Sequence, residues 1–202
     1  MISSTRLDAI MAEVEDPLVT VASDVCVTLA EMEQPSVVVV SDVVLDINVH
    51  GMLLGMKHTA CDMIQGKKGA IVSLASVASV LGGMGPHAYI TSKHVVVGLT
   101  KSVALELGRH GIRVNCVSLY AVPTALSMPH FPQGEHKGDA VRDFLAFVGG
   151  EANLKGVDLL PKDVAEAPRR CSSWQARYIS ALNLVVDGGF TSVNGNLKAF
   201  ED

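Results

Sequence analysis

The chain has 202 residues, 49% of them hydrophobic and 18% charged, with a formal net charge of −5. That is ample apolar material for one packed domain, and the mild acidity gives no electrostatic case for nucleic acid or an anionic membrane surface. No run of eighteen apolar residues occurs and acids appear by Asp8, so neither a membrane span nor a secretory leader is expected; the scattered cysteines and histidines predict buried reduced thiols, no metal and a cytoplasmic protein.

Residues 1–41 carry weak signals: a short helix over Asp8 to Glu15 ahead of Pro17, a short strand over Leu18 to Ala22, and an apolar run at Val37 to Val40 too short to assign. They are set apart from a domain at 42–202. From Asp42 the pattern predicts an amphipathic helix ending near Gly66, with Ile47, Leu54 and Cys61 on one stripe and Val44, Gly51 and His58 beside it. Gly51 and Gly55 weaken that helix, so close packing against another backbone is their expected purpose. Gly69 to Ala75 reads as a buried parallel strand, and a glycine loop follows. A long helix runs from about Ala88 to His110, with Val96, Leu99, Val103 and Leu107 on its buried side and Gly111 as C-cap. Ile112 to Ser118 is the next strand. Strand, helix and strand with short links make a βαβ unit, hence a parallel sheet and an α/β fold. Residues 119–160 read as an irregular loop with a short helix around Val141 to Phe147. Asp163 opens a helix that Pro168 should cut short, Leu182 to Val186 is the last strand, and the tail from Thr191 is polar and loose.

The chemistry concentrates between Ser76 and Lys93. Tyr89 follows Ser76 by thirteen positions, and Lys93 follows Tyr89 by four. If Tyr89 opens a helix, the four-residue step puts phenol and ammonium on one face. A nearby ammonium favours the phenolate. Free tyrosine titrates near ~10, so proton transfer near neutrality requires lowering it by about three pH units, roughly 4 kcal/mol. Ser76 can hold a substrate oxygen while Tyr89 moves the proton, which suits a carbonyl/alcohol pair. A tyrosine four residues before a lysine also arises by chance, so the weight falls on the surrounding motifs.

Those motifs are DINVHG at 46–51, IVSLASVAS at 71–79, YITSK at 89–93, LTKSVALELGRHGIRVNCVS at 99–118 and LNLVVDGG at 182–189. In order and spacing they resemble the short-chain dehydrogenase/reductases, most closely the plant alcohol dehydrogenases of secondary metabolism. The resemblance implies a partial Rossmann-like, doubly wound parallel sheet. It places the family's catalytic positions on Asn48, Ser76, Tyr89 and Lys93. Tyr89 would be the acid/base, Ser76 would polarise the substrate oxygen, and Lys93 would bind the nicotinamide ribose and lower the tyrosine pKa. Asn48 would hold a water relaying protons toward Lys93. Cofactor contacts would come from Tyr89 and Lys93, and from Val122 and Thr124 at the positions facing the carboxamide. Leu119 replaces the proline usual at the start of that loop, which is expected to loosen it. Met128, Phe131, Phe144 and Phe147 would line a substrate lid or pack it internally, and both readings stand.

The resemblance has gaps. No glycine-rich turn of the kind that meets a pyrophosphate precedes Asn48, so the first βαβαβ half of the fold is expected to be missing. The family's Asn-Asn-Ala-Gly turn, which by spacing falls at Val21-Ala22-Ser23-Asp24, is absent as well. The G-x-G-x-x-A look-alike at Gly83 to Ala88 follows the wrong strand, and Pro86 lacks an amide that a phosphate would use. PRRCSSWQ at 168–175 departs from the family's apolar helix, with Arg169 and Arg170 where packed residues belong. It reads as a local reading-frame excursion, which the coding DNA would refute if no shifted frame there encodes an apolar helix. The implied function is hydride transfer between NAD or NADP, with NAD favoured by family, and a hydrophobic secondary alcohol or ketone. The alternatives are an inactive homologue that binds intact relatives through the helices beginning near Asp42 and Ala88, and a product with no stable fold.

Overall fold

The computed structural model describes residues 42–125, 127–131 and 139–193. The readings for residues 1–41, Cys26 among them, and for the tail beyond Val193 lie outside those residues. Three strands, β1 (Gly69–Leu74), β2 (Ile112–Leu119) and β3 (Asn183–Val186), form one parallel sheet in the order β1-β2-β3. Gly69 pairs with Ile112 and Leu74 with Val117, while Cys116 pairs with Asn183 and Leu119 with Val186. Helices α1 (Asp42–Leu45), α2 (Gly51–Gly66) and α3 (His87–Leu107) precede β2, and α4 (Ala140–Glu151) and α5 (Pro161–Ser172) follow it.

Both faces of the sheet are covered, as a parallel sheet requires. On one face Met56 and Ala60 of α2 and Ala104 and Leu107 of α3 close over Ile71, Ile112 and Val114. On the other, Ala167 and Cys171 of α5 pack on Val117, with Val72, Leu119, Leu184 and Val186 around them. Each large apolar side chain removed from water contributes about 1.5–3 kcal/mol. The doubly wound α/β reading is therefore correct for the described residues.

Readings are corrected at three places. Between α1 and α2 the chain runs through a π-helical turn, Asp46–His50, in which the Gly51 N–H reaches back to the Asp46 carbonyl. The extra residue rotates everything downstream. The predicted stripes hold at Val44, Gly51 and Leu54, which are buried, and fail further on, where His58 and Cys61 are exposed while Met56 and Ala60 are buried. Cys116 and Cys171 are buried thiols as expected, but Cys61 is not. Nor does Gly55 meet another backbone, since a Cβ there would touch nothing within 4 Å.

The second correction concerns α5, which runs through Pro168 to Ser172. Pro168 removes one internal hydrogen bond, but Val164, Ala167, Pro168 and Cys171 form an i, i+3, i+4, i+7 stripe toward the sheet. The C-terminal end of the helix is also held externally. Arg113 Nη1 donates to the carbonyls of Cys171 (2.6 Å) and Ile179 (3.2 Å), and Nη2 to those of Ser172 (3.0 Å) and Ser173 (3.3 Å). Arg169 and Arg170 are exposed rather than at packed positions, and Arg169 pairs with Glu166 at 2.6 Å.

The third is Leu119. It extends β2 by a ladder position, and the next amide, Tyr120 N–H, bonds the Val186 carbonyl at 3.1 Å. The start of the loop is tied down rather than loosened. The helix read at Val141 to Phe147 exists and is longer, with Asp139 capping it by accepting the Arg142 N–H at 3.0 Å.

Candidate functional site

The site assembles at the C-terminal ends of β1 and β2, the edge where open parallel sheets bind ligands. β1 leads into a 3₁₀ turn, Val77–Ser79, with Ser76 at its N-cap. Ser76 Oγ accepts the Ala78 N–H at 3.2 Å, and the Ser76 carbonyl accepts both the Ser79 N–H (2.8 Å) and the Ser79 hydroxyl (2.6 Å). With one lone pair engaged by the backbone, the Ser76 hydroxyl hydrogen is left to serve as a donor. The turn packs against α3 and β2.

Tyr89 stands in the first turn of α3, and a Cβ added at Gly85 (φ +151°) would lie 3.5 Å from its ring. Lys93, one turn on, is 96% hidden from solvent, with its Nζ 5.4 Å from the Tyr89 ring centroid. Phenol and ammonium therefore share one face of the helix.

The π turn presents Asn48 inward, where it is buried. Its Nδ2 donates to Ser92 Oγ at 3.0 Å, and Ser92 Oγ donates to the Tyr89 carbonyl at 2.7 Å. Ser92, fully buried, is the residue that sequence reasoning passed over. Its signal was its place inside YITSK, three positions after Tyr89. Asn48 is thus tied to the backbone of the Tyr89 turn through one hydroxyl.

The loop after β2 carries Val122 and Thr124, and Ser127 closes on both. Ser127 Oγ donates to the Val122 carbonyl (2.5 Å) and accepts the Thr124 N–H (2.9 Å), and it lies 3.0 Å from Thr124 Oγ1. Phe131 packs edge-on against Phe144 and Phe147, at 4.5 and 5.7 Å between centroids. Of the two readings for these aromatics, internal packing is the one with contacts. An open cavity of about 200 Å³ lies between α4 and the ends of β2 and β3, lined by Tyr120, Leu145, Val148, Leu154 and Val186 among others; none of Asn48, Ser76, Tyr89 and Lys93 borders it. The look-alike glycine run is an exposed loop with Gly83 at φ +78°, and Pro86 sits at the N-cap of α3. Among the described residues no three His, Cys, Asp or Glu side chains converge as metal ligands, and no helix is long and apolar enough to cross a membrane.

The family model described as enoyl-(acyl carrier protein) reductase matches residues 38–191. Zerumbone synthase of Zingiber zerumbet is 63% identical over 158 residues, covering 78% of this chain and 59% of that protein. Xanthoxin dehydrogenase of Arabidopsis thaliana is 56% identical over 155 residues, covering 77% and 54%. Among solved structures, 4-hydroxyisoleucine dehydrogenase complexed with NADH superposes with a TM-score of 0.64 at 30% identity, over 77% of this chain and 62% of that one. The chain belongs to the short-chain dehydrogenase/reductase family of oxidoreductases. Its resemblance is to the plant alcohol dehydrogenases of that family, and it spans little more than half the length of the two plant relatives.

Proposed function

We propose that this protein interconverts a hydrophobic secondary alcohol and its ketone with NAD or NADP as the hydride partner, NAD being the family's preference. The observation that carries the proposal is the pairing of Tyr89 with the buried Lys93 on one helix face. It is supported by relatives named for zerumbone and xanthoxin and by the neighbour complexed with NADH.

The residues present fit the nicotinamide end of such a cofactor. A buried ammonium lies beside a phenol, and a loop carrying the Thr124 hydroxyl follows β2. Tyr89, Lys93, Val122 and Thr124 would hold it, and when bound it supplies the hydride acceptor or donor. Ser76, whose oxygen accepts the Ala78 N–H and whose hydroxyl hydrogen remains available, donates to the substrate oxygen. Tyr89 exchanges a proton with that oxygen, and the Lys93 ammonium favours the phenolate. Asn48, through Ser92, fixes the Tyr89 turn and offers a site for a relay water toward Lys93.

Tyr89→Phe removes the proton donor while keeping the ring. Turnover should fall by on the order of 10²–10⁴-fold, with an unchanged unfolding midpoint, and a variant at the parent rate would reject the assignment. The domain division at residue 42 and assembly through the helices beginning near Asp42 and Ala88 belong to the same proposal. Val43 and Leu105 are exposed on those helices, at 55% and 73%. Light scattering should find dimers or larger species, alone or with an intact relative; monomers in both mixtures would remove that part.

A further inference from the structure

Behind the Ser76 turn lies a run of polar side chains that the proposed chemistry does not use. Ser79 Oγ is 2.6 Å from the Ser76 carbonyl and 2.9 Å from Ser118 Oγ on β2. Ser118 Oγ in turn lies 2.7 Å from the side-chain amide of Asn183 on β3, with Oδ1 facing it, and Cys116 Sγ lies 3.5 Å from the same amide atom. Ser79 and Ser118 are buried, Ser118 completely, so water does not make up a missing partner.

A proton count fixes the direction of this run. The Ser76 carbonyl can only accept, so the single Ser79 hydroxyl proton is committed to it. The Ser79–Ser118 contact then needs the Ser118 proton. Nothing remains for the Ser118–Asn183 contact if an amide oxygen faces the hydroxyl, because two lone pairs would meet at 2.7 Å. Three contacts would share two protons. A half-turn of the amide, which exchanges Oδ1 and Nδ2 at almost no change of shape, removes the deficit. Nδ2 then donates one hydrogen to Ser118 Oγ and directs the other toward Cys116 Sγ, a weak acceptor.

We infer that Asn183 is a positioning residue for Ser76: its Nδ2 starts a one-way chain through Ser118 and Ser79 that ends on the Ser76 carbonyl and holds the turn presenting the Ser76 hydroxyl. The inference deepens the role given to Ser76 above and rests on that reading for its catalytic meaning. It ties β3 to the reacting end of β1, two strands away in the sheet.

The test is Asn183→Asp, which keeps the shape, removes both N–H donors and leaves only acceptors. In a ¹⁵N-labelled sample the reporter is the Ala78 amide, which donates to Ser76 Oγ. A broken chain should move that resonance and speed its hydrogen exchange by at least about tenfold, while the Val96 amide in the middle of α3 keeps its wild-type exchange rate. Ser118→Ala cuts the same chain one link closer and should do the same, so it carries the test if Asn183→Asp does not fold. If an accepting oxygen were the native arrangement, Asp would replace Asn without effect. An Ala78 amide at its wild-type position in either variant, or equal loss of protection at Ala78 and Val96, overturns the inference. The reporter needs no turnover, so a chain that binds no cofactor would defeat the function proposed above and leave this result readable.

Discussion

Asp187 shows how one side chain sets a local balance. Its carboxylate, at the end of β3, is buried, and burial alone would push its pKa up. Three donors outweigh that: Thr191 Oγ1 and Thr191 N–H at 2.7 Å and Gly189 N–H at 2.9 Å. The net result is a carboxyl held below the usual aspartate value. A depressed folded-state pKa gives stability that is fully present above the unfolded value, near ~3.9, and is lost as pH falls through the folded value. Thr191→Val removes one donor and raises the folded value toward the unfolded one. The loss of unfolding free energy between pH 5 and pH 2.5 should then be smaller in the variant than in the parent, as read from urea midpoints. An equal loss would show that this turn does not contribute.

The chemistry-bearing residues were legible in the sequence where one helix holds them, and less so where partners are distant. The four-residue step from Tyr89 to Lys93 needed only helical periodicity, and the two strands flanking α3 were plain from their β-branched runs. Asn48 was a candidate from its motif, but its inward turn was not legible, because its partner, Ser92, lies 44 positions away. Asn183 stands 65 positions from Ser118, and nothing local marks the two as neighbours.

At the scale of elements, α5 shows tertiary packing overriding propensity. A proline at its eighth position predicted a break, yet the helix continues because its stripe is buried and Arg113 satisfies the carbonyls at its end. A cation at a helix C-terminus is also favoured by the dipole. Arg113→Met keeps the aliphatic stem and deletes the guanidinium. It should destabilise the fold by about 1–3 kcal/mol, with the loss of helical signal confined to α5. Chemical denaturation with hydrogen exchange separates the two effects, and a variant as stable as the parent would mean that the apolar stripe suffices alone.

For the whole molecule, the described sheet has three strands, and the candidate residues come from the turn after β1 (Ser76), from α3 (Tyr89 and Lys93) and from the π turn before α2 (Asn48). These residues are the proton-transfer side of the site proposed above. The proposed dehydrogenase activity then turns on binding of the nicotinamide end of a cofactor beside them. Lys93 connects the two, since its ammonium would serve both the tyrosine and the cofactor ribose.

The most direct measurement is a titration of the purified chain with NADH and NADPH, followed by cofactor fluorescence and by heat, alongside Lys93→Met. The account predicts saturable binding of at least one cofactor, weakened by about tenfold or more, roughly 1.4 kcal/mol, in Lys93→Met. No saturation with either cofactor, or equal affinity in the variant, would contradict it.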